Sequence, residues 1–238
     1  MGTDDDQNMT VYGLAPYAPT RTWQGMNPPE AKREYRAIVL TFDKRMSRGW
    51  QLQGSILYSA FKGNAAPTYG ATEGESSLFD NPNVMINSYG RVAFDRPLQI
   101  KIMGSVMLPV DIILTAYFRH LSGAPWGRTI ARVYFPDYID TQDSYASVAA
   151  EPRGTRRNIP YTMLDMRVEK TFTFGEHGKL SFYIDAFNLG ARSGINVSRN
   201  PNPYIWPDQQ RIELDSDYGL ITSCYGVRSF RLGAKFSF

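Results

Sequence analysis

The sequence predicts an all-β fold, namely a segment of an antiparallel up-and-down transmembrane β-barrel with about seven long strands. Three observations favour this fold. Apolar and polar residues alternate along stretches of roughly ten to thirteen residues, the length that a tilted strand needs to cross a bilayer. The connections between these stretches alternate between short and long. The charged residues of the stretches fall mainly on one of the two faces.

Composition and charge narrow the class of protein. The 238 residues are 42% hydrophobic and 13% aromatic, a balance that suits both all-β proteins in general and barrels with aromatic girdles. The net charge of +3 is small and the Lys and Arg residues are dispersed, which argues against nucleic acid as a partner. No stretch reaches the roughly 18 consecutive apolar residues of a transmembrane helix.

The first two predicted strands form a hairpin. The first runs from Glu34 to Met46 and has an apolar face with Ile38, Leu40 and Phe42, whereas its other face is mixed. A short turn at 47–49 leads into the second strand. An aromatic residue stands near each end of the apolar row of that strand, which contains Trp50, Leu52, Gly54, Ile56 and Tyr58.

The third and fourth predicted strands are joined by a tight turn at 109–111. The apolar row of the third strand contains Leu98, Ile100, Ile102, Gly104, Val106 and Leu108. The apolar row of the fourth strand contains Ile112, Leu114, Ala116, Phe118 and His120. Both strands carry polar residues at most of the intervening positions, as expected for a sheet with one apolar face.

The fifth, sixth and seventh predicted strands repeat the pattern. A turn at 175–178 joins the fifth to the sixth, and the seventh covers 227–238 at the end of the sequence. Their apolar rows contain Leu164, Met166, Val168, Phe172 and Phe174, then Leu180, Phe182, Ile184 and Ala186, then Phe230, Leu232, Ala234, Phe236 and Phe238.

Three long polar stretches, at about 62–95, 121–161 and 190–225, separate the hairpins and predict long irregular loops. Structureless connections longer than about 15 residues are uncommon in compact soluble domains. Bacterial barrels, in contrast, alternate short periplasmic turns with long extracellular loops. The alternation therefore predicts an orientation in which the chain begins outside the cell and Phe238 lies at the periplasmic rim.

The distribution of charge agrees with a membrane strand. A charged residue on the lipid face costs about 2–4 kcal/mol at the bilayer midplane and little near the interfaces. The apolar faces contain five polar residues, mostly near predicted strand ends: Arg36, Lys44, His120, Lys170 and Asn188. The opposite faces contain Lys101, Arg119, Asp165, Arg167, Glu169, Asp185, Arg231 and Lys235. A soluble all-β binding module, such as a carbohydrate-binding sandwich, stays open as an alternative, because it would bury the same apolar face in its core.

No catalytic constellation supports an enzyme. His120 and His177 lie in different segments and suit no triad or metal site. The single cysteine, Cys224, cannot form an internal disulfide or a multi-cysteine zinc site. There is also no phosphate-binding glycine loop. We therefore predict no catalytic residues, no metal site and no cofactor.

Residues 1–31 are irregular in sequence and predict an extracellular loop or an irregular N-terminal end, before a region of barrel strands at 32–238. The first residues are acidic and polar, whereas an export signal needs a basic start and an apolar core. Since a barrel needs such a signal, either the signal lies on sequence upstream or the barrel interpretation is wrong.

Several short stretches resemble one family of outer-membrane proteins. They are 35–41 with Lys44 and Arg45, then 50–52, 80–83 through 95–97, 151–154 with 157–160, 164–172, 185–189 and 230–238. In order and spacing these stretches are similar to the C-terminal barrel portion of TonB-dependent outer-membrane receptors, with the Oar-like subgroup as the nearest match.

The resemblance implies a barrel of about 22 strands with a plug inside it. It also implies import driven by the inner-membrane proton gradient through TonB, with a siderophore, cobalamin, an oligosaccharide or a peptide as cargo.

Only about a third of such a barrel is present here, without a recognisable plug or TonB-pairing motif. An open strand edge in lipid leaves backbone groups unpaired. We therefore expect a fragment, a truncated reading frame or half of a split receptor, with the plug and remaining strands supplied by missing sequence.

The resemblance also assigns candidate sites and partners. The terminal strand, with Leu232, Ala234, Phe236 and Phe238 on one face, resembles the signal that the barrel-assembly machinery reads. The charged residues opposite the apolar rows would line the lumen and face the plug. Aromatic residues of two long loops are candidate substrate contacts: Tyr69, Phe79, Tyr89, Trp126, Tyr134, Tyr138 and Tyr145. The implied location is the bacterial outer membrane, with lipid as a further partner.

Overall fold

A computed structural model of the chain describes residues 10, 12, 29–64, 82–134, 145–175, 178–189, 195–197, 204–206, 211–213, 220–224 and 227–238. In chain order the elements are β1 (Arg33–Ser47), β2 (Trp50–Gly63), α1 (Pro82–Met85), β3 (Gly90–Arg91), β4 (Leu98–Leu108), β5 (Ile112–Leu121), β6 (Pro125–Trp126), β7 (Thr129–Tyr134), β8 (Tyr145–Ala149), β9 (Arg156–Arg157), β10 (Tyr161–Thr173), β11 (Lys179–Phe187), β12 (Ile195–Val197), β13 (Tyr204–Trp206), β14 (Arg211–Glu213), β15 (Ile221–Cys224) and β16 (Ser229–Ser237). Within these ranges, no helix has the length and apolar character needed to cross a membrane.

Seven long strands form one antiparallel sheet in the order β1-β2-β4-β5-β10-β11-β16, with the short β3 attached to β2. Each long strand pairs with the next long strand along the chain. The long strands have between 9 and 15 residues. The prediction of an all-β fold with about seven long up-and-down strands is thereby confirmed. In the described part of the chain, the outer strands β1 and β16 each have one long-strand neighbour.

The strand register brings the apolar rows of all seven strands onto one face. Leu40 pairs with Ile56, which pairs with Ile100 on the next strand. At the other side of the sheet, Val168 pairs with Ile184, which pairs with Leu232. Directly opposed residues of an antiparallel pair point to the same face. We call this surface the apolar face and the other surface, which carries Lys101, Asp185 and the residues in register with them, the polar face.

The apolar face is strongly exposed on the outer strands and has intermediate exposure on β4 and β5. Ile38 is 72% exposed, Phe230 66% and Leu232 76%, and no element within the described ranges covers them. The buried hydrophobic side chains of the described residues lie instead in the connections: Val92, Trp126, Val133 and Val148. The sheet is therefore unlike that of a soluble sandwich, in which two apolar sheet faces pack together to form the core.

The long connections contain more regular structure than predicted. We expected irregular loops, but β6 pairs with β9, β7 pairs with β8, and β13 lies between β7 and β14. The one helix of the described residues, α1, also lies in such a connection. Strands of two to six residues are too short to show a period-two pattern, which is why the sequence did not predict them.

Candidate functional site

The polar face brings all eight predicted charged residues onto one surface. Lys101 pairs with Arg119, Arg167 pairs with Asp185, and Asp185 pairs with Arg231. Glu169 pairs with Tyr183 in the next row, and Lys235 pairs with Ser181 in the row beyond. Asp165 stands opposite Tyr117 on β5. The two-residue period of strands explains why these side chains share a face although they come from five strands.

Asp185 is the centre of an ion cluster that joins the last three long strands. Its Oδ1 accepts from Arg167 Nε at 2.6 Å and its Oδ2 from Arg167 Nη2 at 3.0 Å, which makes a two-pronged contact. Arg231 Nε donates to Oδ2 at 2.8 Å from the other side. Asp185 is buried, whereas both arginines are partly exposed. Charge-assisted and bidentate contacts of this kind fix side-chain geometry as well as adding stability.

Aromatic rings support the same cluster. The Arg167 guanidinium carbon lies 4.3 Å from the centre of the Tyr183 ring. The Arg231 guanidinium carbon lies 5.5 Å from the centre of the Phe187 ring. The Tyr183 ring also covers Gly233, where an added Cβ would lie 2.2 Å from Tyr183 Cζ. Gly233 therefore provides the space that the Tyr183 ring occupies beside the two arginines.

Uncharged residues that were not predicted as site residues extend the row of Arg167 and Asp185 across the sheet. Ser105 Oγ lies 2.9 Å from Thr115 Oγ1, and Gln51 Nε2 lies 3.5 Å from Ser105 Oγ. Thr115 pairs in turn with Arg167. All three residues alternate with the apolar rows of their strands, and this position is the signal in the sequence that points to them.

The other predicted charges have different surroundings. Asp165 Oδ1 accepts the backbone N–H of Asn188 at 2.7 Å, beyond the end of β11. Lys101 and Arg119 stand directly opposite each other, and neither forms an ion pair within the described ranges. The described residues contain no group of three or more His, Cys, Asp or Glu side chains that could hold a metal ion.

A second polar assembly lies in the connections at the other end of the sheet from the short turns. We call it the loop cap and define it as residues 82–97, 122–134 and 145–160. Glu151 is its best-connected acid: Oε2 accepts from Arg128 Nε at 2.9 Å and Oε1 from Arg156 Nε at 2.8 Å. Oε1 also accepts the backbone N–H of Arg128 at 2.9 Å. The stretch at 151–154 is a turn with these contacts at its first residue.

Burial alone would raise the pKa of Glu151, but the hydrogen bonds from Arg156 and Arg128 outweigh it, so that the pKa lies below its ordinary value of 4.5. Burial lowers the pKa of the neighbouring Arg153. Glu151 is therefore held ionised in the cap.

A further contact ties the loop cap to the sheet. Arg157 forms an ion pair with Asp95 and donates to the Gly123 carbonyl at 3.1 Å. Asp95 Oδ1 accepts the backbone N–H of Phe61 on β2 at 2.8 Å. The chain is packed so closely here that a Cβ at Gly123 would lie 1.6 Å from the Asn158 carbonyl oxygen. The cap is thus a packed structure fixed to the strand ends.

The loop aromatic residues that were predicted as substrate contacts have unequal positions. Trp126 is 8% exposed and lies against Arg156, whose guanidinium carbon is 5.5 Å from the indole ring centre. Tyr89 is 44% exposed. Tyr69, Phe79 and Tyr138 lie outside the described residues, as do the side chains of Tyr134 and Tyr145.

The end of the chain forms the outer long strand of the described sheet. Phe236 pairs with Leu180, Ala234 with Phe182 and Leu232 with Ile184. The Phe238 ring lies 6.0 Å from the Phe236 ring and is fully exposed. These four predicted signal residues share the apolar face.

Comparison with known proteins gives a relative to consider with this geometry. The chain is 26% identical to the TonB-dependent transporter Oar of Myxococcus xanthus over 182 residues, which cover 71% of this chain and 16% of the transporter. No family model matches the chain. No solved structure matches it. The similarity and the sheet of long up-and-down strands together support a distant relationship between this chain and the TonB-dependent transporters.

Proposed function

We propose that the chain forms strands of the C-terminal barrel portion of an outer-membrane TonB-dependent transporter. The observation that carries this proposal is the apolar face, which extends over all seven long strands and has no cover among the described residues. A lipid bilayer is the environment that such a face requires, because an apolar surface of this size is unfavourable in water.

The charges on the apolar face support contact with lipid. Lys44 donates from Nζ to the Ser47 carbonyl at 3.1 Å and to the Trp50 carbonyl at 3.0 Å. Its Nζ also lies 3.7 Å from the centre of the Trp50 ring. Lys170 donates to the Val110 carbonyl in the turn between β4 and β5. Both ammonium groups are thus directed to a short turn, where a membrane-facing lysine can reach the headgroups.

The polar face would line the lumen of the barrel and contact a plug domain. The plug and the remaining strands would be supplied by sequence outside this chain. Its ion cluster around Asp185 would hold the last strands in register. The loop cap would face the cell exterior, together with residues 1–31. The strand that ends at Phe238 would be read by the barrel-assembly machinery. These roles follow from the predicted orientation, in which the short turns are periplasmic.

The transport reaction would be uptake of a siderophore, oligosaccharide or peptide-type substrate, driven through contact of the plug with the TonB complex. The name of the Myxococcus relative favours the Oar-like subgroup within the family. The chain would supply barrel wall and outer loops in this process and no catalytic group.

A soluble all-β binding module is the competing function. It would need a second layer over the apolar face, and no described element provides one. The observation therefore favours the membrane protein.

Refolding with and without lipid tests the proposal. The full chain, diluted from urea into phospholipid vesicles, should gain β-structure by circular dichroism and become resistant to protease along its long strands. Diluted into buffer alone, it should precipitate or stay unfolded. A compact monomer that forms in buffer without lipid or detergent would overturn the membrane proposal in favour of the soluble module.

A further inference from the structure

Two cations stand directly opposite each other on the polar face. Lys101 on β4 pairs with Arg119 on β5. Side chains at directly opposed positions have their Cβ atoms about 4.5–5.5 Å apart, and like charges at such positions repel each other. The pair therefore opposes the folding of this hairpin unless something neutralises it.

The described structure supplies no neutralising acid. Neither Lys101 nor Arg119 has an ion pair or a hydrogen bond to a carboxylate in the described ranges, whereas Asp185 on the same face has two arginines. The nearest acid along the sheet is Asp165, which stands opposite Tyr117, one position diagonal to Arg119, and accepts from the Asn188 backbone. Asp43 lies on β1, two strands from Lys101, and is in register with Gln53 and Met103 one row away.

Arg119 adds a second observation. Its Nε atom is buried and has no hydrogen-bond partner among the described atoms. The guanidinium carbon lies 5.9 Å from the centre of the Tyr161 ring, which holds the side chain against β10. A buried donor without an acceptor is unfavourable, whereas the two Nη groups at the end of a guanidinium can bind an oxyanion in a two-pronged contact.

A groove borders Lys101 and leaves room for a ligand beside the pair. It is open to solvent and lined by Lys101, Met103 and Tyr117 from β4 and β5, with Gln53 and Ser55 from β2. The pair lies on the half of the face nearer to the loop cap, two rows from the Asp185 cluster. A molecule that entered from the cap side would reach these cations before it reached the cluster.

We propose that Lys101 and Arg119 form a binding site for an oxyanion, a carboxylate or phosphate group carried by the transported ligand. This inference rests on the proposed transport function, since it names the charge of the substrate that the same face would accept. Lys101 contributes a point charge at the groove, and Arg119, directly opposite it on β5, contributes the two Nη groups of its guanidinium. Tyr117 and Gln53 supply polar groups for the rest of the ligand.

Methyl NMR of the full chain in detergent micelles tests the site. Met163 stands directly opposite Arg119 and Met103 lines the groove, whereas Met107 lies towards the short turn. With the methionine methyls labelled, citrate and inorganic phosphate are titrated separately at constant ionic strength, with chloride as the control anion. We expect saturable shifts at Met163 and Met103 with citrate, with phosphate or with both, and no shift at Met107. The two titrations distinguish a carboxylate from a phosphate ligand.

Variants assign the shifts to the pair. Arg119→Gln should weaken binding by about tenfold or more, because it removes a charge-assisted contact. Arg119→Lys should recover only part of that loss, since it restores the charge without the two-pronged geometry. Lys235→Gln, which removes a cation from the same face near the short turns, should leave the affinity within about twofold.

The site proposal fails if neither anion gives a saturable shift, or if Lys235→Gln weakens binding as much as Arg119→Gln. Dispersed methyl signals show that a variant is folded. If Arg119→Gln does not fold, Lys101→Gln tests the same site independently. If only the anion site is absent, the chain should still need lipid or detergent to fold. If the transport proposal itself is wrong, the chain should fold in buffer without lipid.

Discussion

At the scale of single residues, Asp185 shows how a buried acid organises a polar surface. It is 3% exposed and receives three hydrogen bonds from two arginines on the flanking strands. Because its partners belong to β10 and β16, one side chain links three strands through their side chains as well as through their backbones. If one partner is removed from such a cluster, the remaining charged side chains are left without an opposite charge.

We expect Asp185→Asn to lower the denaturant concentration at which the folded protein is half unfolded in vesicles. The amide keeps the shape of the side chain but leaves Arg167 and Arg231 facing each other. Glu169→Gln, one row away and without a described ion pair, should have a much smaller effect.

A double variant separates charge repulsion from loss of packing. Arg231→Gln added to Asp185→Asn should recover part of the lost stability, because it removes one of the two facing charges. If the loss of stability in the double variant equalled the sum of the losses in the two single variants, the cluster would have no electrostatic role.

Glu151 gives a prediction about pH in the loop cap. Its pKa in the folded protein lies below the ordinary value of 4.5. The ionised carboxylate therefore stabilises the cap at a pH above about 4.5, and this contribution is lost as the pH falls through the folded pKa. The exchange of the Arg128 backbone N–H, which Glu151 accepts, should accelerate below pH 4.5 beyond its intrinsic pH dependence.

The matched variant is Glu151→Gln. Its amide cannot replace the charge, so the Arg128 N–H should already exchange faster at pH 7, corresponding to a local loss of about 2 kcal/mol. The additional acceleration at low pH should disappear in this variant. An unchanged pH dependence would show that another group controls opening of the cap.

At the scale of the elements, two glycines show how strands and loops approach each other. Gly233 on β16 lies under the Tyr183 ring, and Gly123 lies against the backbone of Asn158. A tyrosine ring can turn away, whereas a backbone carbonyl can move only if the chain moves with it. The two sites therefore tolerate a methyl group to different degrees.

We expect Gly233→Ala to destabilise the protein by about 1–3 kcal/mol, the usual cost of overpacking. Tyr183→Leu in the same chain should reduce that cost, because the ring that meets the new methyl group is gone. Gly123→Ala should be more damaging than Gly233→Ala. Chemical denaturation in vesicles measures all three, and equal costs for the two glycines would contradict the packing described here.

The long strands and their faces could be predicted from sequence because period-two alternation continues over nine or more residues. The first strand, for example, was predicted at 34–46 and is observed at Arg33–Ser47. Once the short turn at 109–111 fixes the register of a hairpin, residues such as Lys101 and Arg119 are opposed by necessity.

The contacts of the loop cap could not be predicted in this way. Asp95 and Arg157 are 62 positions apart, and no periodic pattern joins them. Glu151 lies in a turn whose partners come from β9 and from the residue before β7. Such contacts depend on how irregular segments fold back on the strand ends. Alternation carries no information about that path.

At the scale of the whole molecule, the arrangement is a sheet with two contrasting faces and a packed cap at one end. Its hydrophobic core, within the described ranges, lies in the cap, and the apolar side chains of the sheet face outwards. This distribution is the reverse of that in a soluble globular protein. It is the expected one for a barrel wall between lipid and a polar lumen.

Accessibility of two adjacent residues tests this arrangement most directly. Val168 lies on the apolar face and Glu169 on the polar face at nearly the same depth in β10. With Cys224→Ser as the background, each position is changed to cysteine in turn, and isolated outer membranes are treated with a charged maleimide or with one that partitions into lipid.

We predict that the charged reagent labels Glu169→Cys and leaves Val168→Cys unlabelled, whereas the lipid-soluble reagent labels Val168→Cys. Ala234→Cys and Lys235→Cys should repeat this contrast on β16. Equal labelling of Val168→Cys and Glu169→Cys by the charged reagent would contradict a lipid-facing apolar surface, and with it the proposal that this chain forms part of a membrane barrel.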